Sequence, residues 1–157
     1  MQENIDLVNS FYEAFSNKDG HKMADMYADD ATFEDSVFGY LTSMQTKAMW
    51  KMLTSRSQDL KISWSPPVEK NGLVETTWTA RYSFGPSKRK VVNIIEAKIT
   101  IANGKITQHK DRFSFYRWSR QALGPVGWLL GWTPYLQAKV QKSALKGLKD
   151  YMSKESV

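Results

Sequence analysis

Cysteine is absent from the 157 residues, which excludes disulfides, thiolate metal sites and a cysteine nucleophile. The first residues, M-Q-E-N-I-D-L, lack a basic segment followed by an apolar run, so no secretory leader is read there. No apolar stretch reaches the length of a bilayer span. The expectation is a cytoplasmic protein without a membrane span. Glycine-rich phosphate loops and zinc-ligand spacings are also missing, so no cofactor and no metal are expected. What the chain does carry is an excess of positive charge, +6, a balance that can mark nucleic-acid binding. Much of that excess is local, in Lys139, Lys142, Lys146, Lys149 and Lys154. Steps of three and four put the first four on one helical face, and a solvated helix explains them. No nucleic-acid partner is expected.

Apolar residues make up 41% of the chain and charged residues 24%, the balance of a globular domain with a proper core. No composition shift divides it, so residues 1–157 read as one domain. Ile5, Val8, Phe11, Tyr12 and Phe15 recur at helical spacing and predict a first helix over 4–16. A short helix over 21–27 follows, then a turn at Asp29-Asp30. Residues 32–37 alternate as a strand that sets Phe33, Asp35 and Val37 on one face. A third helix is predicted over 43–57. Leu60, Ile62 and Trp64 alternate until Pro66-Pro67 ends their strand. Long strands then span 73–84, with Trp78, Ala80, Tyr82 and Phe84 on one face, and 91–102. The pair Asn103-Gly104 signals a hairpin. Helices followed by an antiparallel meander predict an α+β layer fold.

After that hairpin comes K-I-T-Q-H-K-D-R-F-S-F-Y-R-W, residues 105–118. Read as one strand, it places His109, Asp111, Phe113 and Phe115 on a single face. An imidazole and a carboxylate in line with phenyl rings is unusual, because an unpaired buried charge costs several kcal/mol. This face, with Asp35 from the earlier strand, is the candidate site. Further on, Gly124, Pro125, Gly127 and Gly131 interrupt an apolar segment, 121–132, that must cover something: a pocket mouth or a subunit interface is expected, ahead of a membrane surface. Thr133 as N-cap and Pro134 at the first position start a last helix to about residue 152.

The order of elements, together with the run D-D-A-T-F-E-D-S-V-F-G at 29–39, resembles the nuclear transport factor 2-like superfamily. Within it, that run is similar to the corresponding stretch of bacterial ketosteroid isomerases. The resemblance covers residues 4 to about 117, with 118–153 as an extension like that of some SnoaL-like members, the polyketide-cyclase branch. It implies a cone-shaped, strongly curved antiparallel sheet covered by N-terminal helices around an apolar cavity, with an extra C-terminal helix. It also implies a homodimer through the outer sheet face. The isomerase base corresponds to Asp35, whereas its oxyanion tyrosine corresponds to Phe11. Its second donor corresponds to Glu96, or to Ala97 if the hairpin is one residue shorter. The acid/base aspartate of SnoaL-like cyclases corresponds to Asp111.

The expected function is therefore binding of a small hydrophobic carbonyl or cyclic substrate, with proton transfer in an apolar pocket. Asp111, His109 and Asp35 are the catalytic candidates. Phe11, Phe15, Phe33, Trp78, Tyr82 and Phe113 are the candidate substrate contacts. Two alternatives stay open: a non-catalytic hydrophobic-ligand-binding or dimerisation module, and activation of water against an epoxide. The second is what resemblance to the limonene-epoxide hydrolases implies, with their Asp-Arg-Asp arrangement; Arg81, the only central-strand arginine, lies opposite the Trp78/Tyr82 face.

Overall fold

In the computed structural model, residues 2–155 are described; residues 1, 156 and 157 of the expected 1–157 domain lie outside them. Helix α1 (Gln2–Ser16) buries Val8, Phe11, Tyr12, Ala14 and Phe15, one stripe of a 3.6-residue repeat. Lys18 turns the chain with φ 57°, and Asp19 caps α2 (Gly20–Asp25) by accepting from the Lys22 amide. Gly20 is required there, because a Cβ would sit 2.8 Å from the Lys51 Cα and 2.9 Å from the Trp50 carbonyl oxygen. That contact sets α2 tight against α3 (Ser43–Arg56), which opens on a Thr42/Gln45 capping box.

The strands are β1 (Tyr27–Asp35), β2 (Gly39–Thr42), β3 (Lys61–Trp64), β4 (Val68–Lys70), β5 (Leu73–Phe84), β6 (Arg89–Ala102) and β7 (Lys105–Arg112). They form one curled, unclosed sheet in the order β2-β1-β7-β6-β5-β3, with β4 also on β5. Among the described residues only the β1–β7 pairing is parallel. The α+β cone with helices over its inner face is the architecture expected. Asn71-Gly72 and Asn103-Gly104, all four at positive φ, make the two-residue turns that match strand twist. On β6 the alternation is strict: Val91, Asn93, Ile95, Ala97, Ile99 and Ile101 face inward and are buried, while Glu96 and Lys98 face out. The inward residue at the disputed hairpin position is therefore Ala97, and it pairs with Asp111.

Several boundaries differ from those predicted. The face running from His109 to Phe115 does not exist as one strand: β7 stops at Arg112, and Ser114 caps α4 (Phe115–Leu123) by accepting from the Arg117 amide. Phe115 belongs to a second core with Val91, Trp118, Ala122 and Leu136. Asp29 and Asp30 are strand residues, set in a wide irregularity. Between matched pairs, β1 advances from Tyr27 to Thr32 while β7 advances only from Ile106 to Gln108. The extra residues loop outward, so both aspartates are exposed even though the strand continues. Strands β2 and β4, too short to show alternation, were not anticipated. The 121–132 segment folds as the end of α4 and a short α5 (Pro125–Leu130), before α6 (Pro134–Glu155). Thr133 does cap α6, its hydroxyl oxygen accepting from the Leu136 amide. No helix among the described residues is long and apolar enough to cross a membrane.

Candidate functional site

A cavity of about 550 Å³ lies between the inner face of the sheet, α3 and α6. Phe15 from α1, Trp78 and Tyr82 from β5, Phe113 after β7, and the carboxylates Asp35 and Asp111 all line it. Phe11, Phe33 and His109 do not: they are 0–1% exposed and sit behind the wall in the aromatic core. The structure thus brings six of the sequence-derived residues to one hollow and puts three in the layer supporting it.

His109 is enclosed by rings. Phe11, Phe33, Tyr27 and Trp50 have centroids 5.1–6.1 Å from the imidazole, the first two edge-on and the last two stacked. Both of its nitrogens are used. Nδ1 lies 2.7 Å from the Tyr27 hydroxyl and Nε2 lies 2.9 Å from Asp111 Oδ1. Trp50 Nε1, which can only donate, points to the Tyr27 oxygen at 2.8 Å. The Tyr27 proton is then free to go to Nδ1, which leaves the His109 proton on Nε2, directed at Asp111. One tautomer of a neutral imidazole satisfies every link. Trp78 Nε1 adds a longer bond to the same Asp111 oxygen, 3.3 Å. The result is a buried relay, Trp50–Tyr27–His109–Asp111, that fixes Asp111 against the cavity.

Asp35 is held differently. It ends β1, and its Oδ1 accepts from the Val37 and Phe38 amides at 2.9 and 2.6 Å, a local turn made by the side chain. Burial pushes its carboxyl group up from 3.8 to about 7; the Phe38 amide opposes this, the Asp111 charge reinforces it, and the Val37 amide and His109 oppose it. Burial is the largest of these causes. Among the described residues no hydrogen bond is made to Oδ2 of Asp35 or of Asp111, which leaves one oxygen of each carboxylate available. Tyr82, whose phenol is raised mainly by burial, accepts from Trp118 Nε1 at 2.8 Å and ties α4 to the cavity wall.

Three residues were missed or set aside by the sequence reading. Tyr27 and Trp50 complete the relay, and nothing in the local pattern marked them. Tyr12, one position beyond Phe11, is wholly buried, and among the described residues its hydroxyl has no hydrogen-bond partner. Burial first and the Asp111 charge second raise its phenol well above the ordinary value, so this hydroxyl lies within electrostatic reach of Asp111. Arg81 is exposed on the outer face, paired with Lys61, as its strand position required. Among the described residues no His/Asp/Glu cluster suited to a metal ion occurs.

Residues 8–109 match the family model of the SnoaL-like domain. The chain belongs to the SnoaL-like family. No curated protein matches its sequence, but many solved structures share its fold. A Mycobacterium tuberculosis epoxide hydrolase of the limonene-epoxide-hydrolase-like type is 21% identical, with a TM-score of 0.67 over 83% of this chain and 96% of its own. A Catenulispora acidiphila protein with a ketosteroid isomerase-like fold, solved with trimethylamine, is 14% identical, with a TM-score of 0.67 over 78% and 95%. A Jannaschia SnoaL-like protein, named as a candidate polyketide cyclase, is 10% identical, with a TM-score of 0.68 over 79% and 94%. At these identities the likeness establishes the fold of the SnoaL-like chain and leaves its chemistry to its own residues.

Proposed function

We propose that this SnoaL-like protein binds a small hydrophobic carbonyl or cyclic molecule in the 550 Å³ cavity and moves a proton on it, as an isomerase or cyclase does. The observation that carries the reading is Asp35. A carboxyl group titrating at about 7 on the wall of a mainly apolar hollow is matched to proton transfer near neutral pH. Oδ1 is occupied by the two amides, so Oδ2 is the oxygen that takes or gives the proton. Asp111 faces the same space from β7 and is the second carboxylate. His109 reaches no substrate; it is a positioning residue that holds Asp111 through Nε2. An enolate formed on the substrate needs a donor. Ala97 and Phe11 provide none; the protonated Asp35 carboxyl group, the Tyr82 hydroxyl and the Asn93 amide, all on the cavity wall, are the donors at hand.

The competing reading is a ligand-binding protein without chemistry, and the completeness of the relay around His109 favours it to this extent: a network with every link satisfied also serves a purely structural end. For epoxide opening by activated water, Arg81 faces away from the cavity, and Arg56, the arginine that does line it, lies over the Tyr151 ring and among the described residues forms no ion pair with Asp35 or Asp111. For assembly we keep the homodimer through the outer sheet face, where Glu34, Glu96, Lys98, Lys110 and Arg112 supply both signs of charge for a self-complementary contact.

Deuterium incorporation from heavy water into a panel of cyclic hydrophobic ketones separates the readings. The proposal predicts exchange at the position next to the carbonyl, lost in Asp35→Asn while ketone binding persists. Binding without exchange in the unsubstituted protein would leave only the non-catalytic reading.

A further inference from the structure

Helix α5 is built inside out. Its glycine, Gly127, and Gly131 just beyond it are buried against α4, so closely that a Cβ on Gly127 would meet the Ser119 carbonyl carbon and the Arg120 nitrogen, the latter at 2.8 Å. The large apolar side chains point the other way. Val126, Trp128, Leu129 and Leu130 are 43–72% exposed, and Trp132 and Tyr135 are each 71% exposed. Six large hydrophobic residues within ten positions stand in solvent on a segment whose small residues face the protein. That pattern is the reverse of what a helix packing onto its own domain requires.

The charge around this patch has one sign. From Arg117 on α4 to Lys149 on α6 the chain contains six cations and no Asp or Glu. The Arg120 guanidinium lies 4.4 Å from the Trp128 ring centroid and 5.0 Å from that of Tyr116, at the edge of the patch. Arg117 precedes Arg120 by three positions on α4. On α6, Tyr135, Lys139, Lys142 and Lys146 follow one another at steps of four, three and four, so the lysines continue the face that Tyr135 begins. All these lysines are exposed.

We propose that the α5 corner, with the cationic faces of α4 and α6 beside it, is a docking surface for an anionic lipid bilayer. Tryptophan, tyrosine and leucine inserted at the headgroup level, with Lys and Arg above them, is the composition of a helix lying in a membrane interface. A second copy of the chain is disfavoured on this face, since a two-fold contact would set cation against cation. The surface is independent of what the cavity does.

Co-sedimentation of the full chain with phosphatidylcholine vesicles, and with equimolar phosphatidylcholine and phosphatidylglycerol, tests this. The expected result is sedimentation with the anionic vesicles alone, weakening as salt screens the surface. The variant carrying Trp128→Ser, Leu129→Ser and Trp132→Ser should lose it, and its unchanged thermal unfolding would show that the fold persists. Arg117→Gln, Lys139→Gln and Lys142→Gln together leave the apolar patch intact and should weaken binding by about five-fold per charge removed. Absence of sedimentation, or equal sedimentation with neutral vesicles, overturns the proposal. So does a sedimentation-velocity dimer that the serine variant dissociates while vesicle binding is unaffected, which would assign the patch to a second copy.

Discussion

Replacing Asp35 by asparagine should make the protein more stable, by an amount that grows from about pH 4 and is complete above about pH 7. The carboxyl group is raised from 3.8 to about 7. Below about pH 4 both folded and unfolded chains keep the proton, so the site adds no pH dependence. Between about pH 4 and 7 the unfolded chain releases it while the folded chain holds it, and stability falls. Above about pH 7 the full penalty of an ionised, desolvated carboxylate is present. Three pH units at about 1.36 kcal/mol each set a ceiling of about 4 kcal/mol. Asp35 is only half-buried, so solvent screening reduces this to about 2 kcal/mol. Asparagine keeps an Oδ1 acceptor for the Val37 and Phe38 amides and carries no charge. Thermal unfolding of both proteins across the range is the assay. Asp35→Asn should melt about 4–8 °C higher at about pH 8 and at the same temperature near pH 4. A variant that melts lower at pH 8, or a difference that does not vary with pH, would refute the desolvated-carboxylate reasoning.

The relay makes its own predictions. Tyr27→Phe removes the hydroxyl between Trp50 Nε1 and His109 Nδ1, leaving a buried donor and a buried acceptor unmade. Urea unfolding should show a loss of about 2–4 kcal/mol. Asp111→Ala strands the His109 and Trp78 donors and should cost a similar amount by the same measurement, whereas Asp111→Asn should retain most of the stability while losing ketone exchange. Gly127→Ala drives a methyl group into α4 backbone at Ser119. It should speed amide exchange in residues 125–131, with melting lowered by about 1–3 kcal/mol equivalent, and speed the amides of β5 and β6 by no more than that global loss accounts for.

How much of this was visible in the sequence varied with the physics of each segment. The α1 stripe and the span of β5 were legible because one face of each meets the core and the repeat shows it. The end of β7 was not. In Phe113-Ser114-Phe115-Tyr116 large rings alternate with a small residue as they would on a strand, and the Ser114 cap that begins α4 is a contact the alternation hides. Asp35 and Asp111 were found because a carboxylate in line with apolar neighbours stands out. Tyr27 and Trp50 were not found. Tyr27 reaches His109 only because the β1 irregularity shifts its register against Ile106. Trp50 lies on the α3 face that also buries Thr46 and Thr54, where hydroxyl-bearing residues interrupt the apolar repeat. The outward face of α5 was legible as an apolar segment in need of a cover; that its glycines are the buried residues required the coordinates.

Two carboxylates share one hydrophobic hollow, with Asp35 poised near neutrality. The most direct test of this arrangement is a ¹³C NMR titration of the aspartate side-chain carbons, with the cavity empty and with a hydrophobic phenol bound. The account predicts an Asp35 midpoint at about 7 that moves when the phenol occupies the cavity, and an Asp111 resonance that responds to the same ligand. An Asp35 midpoint near that of a free aspartate, unchanged by any ligand, would contradict it.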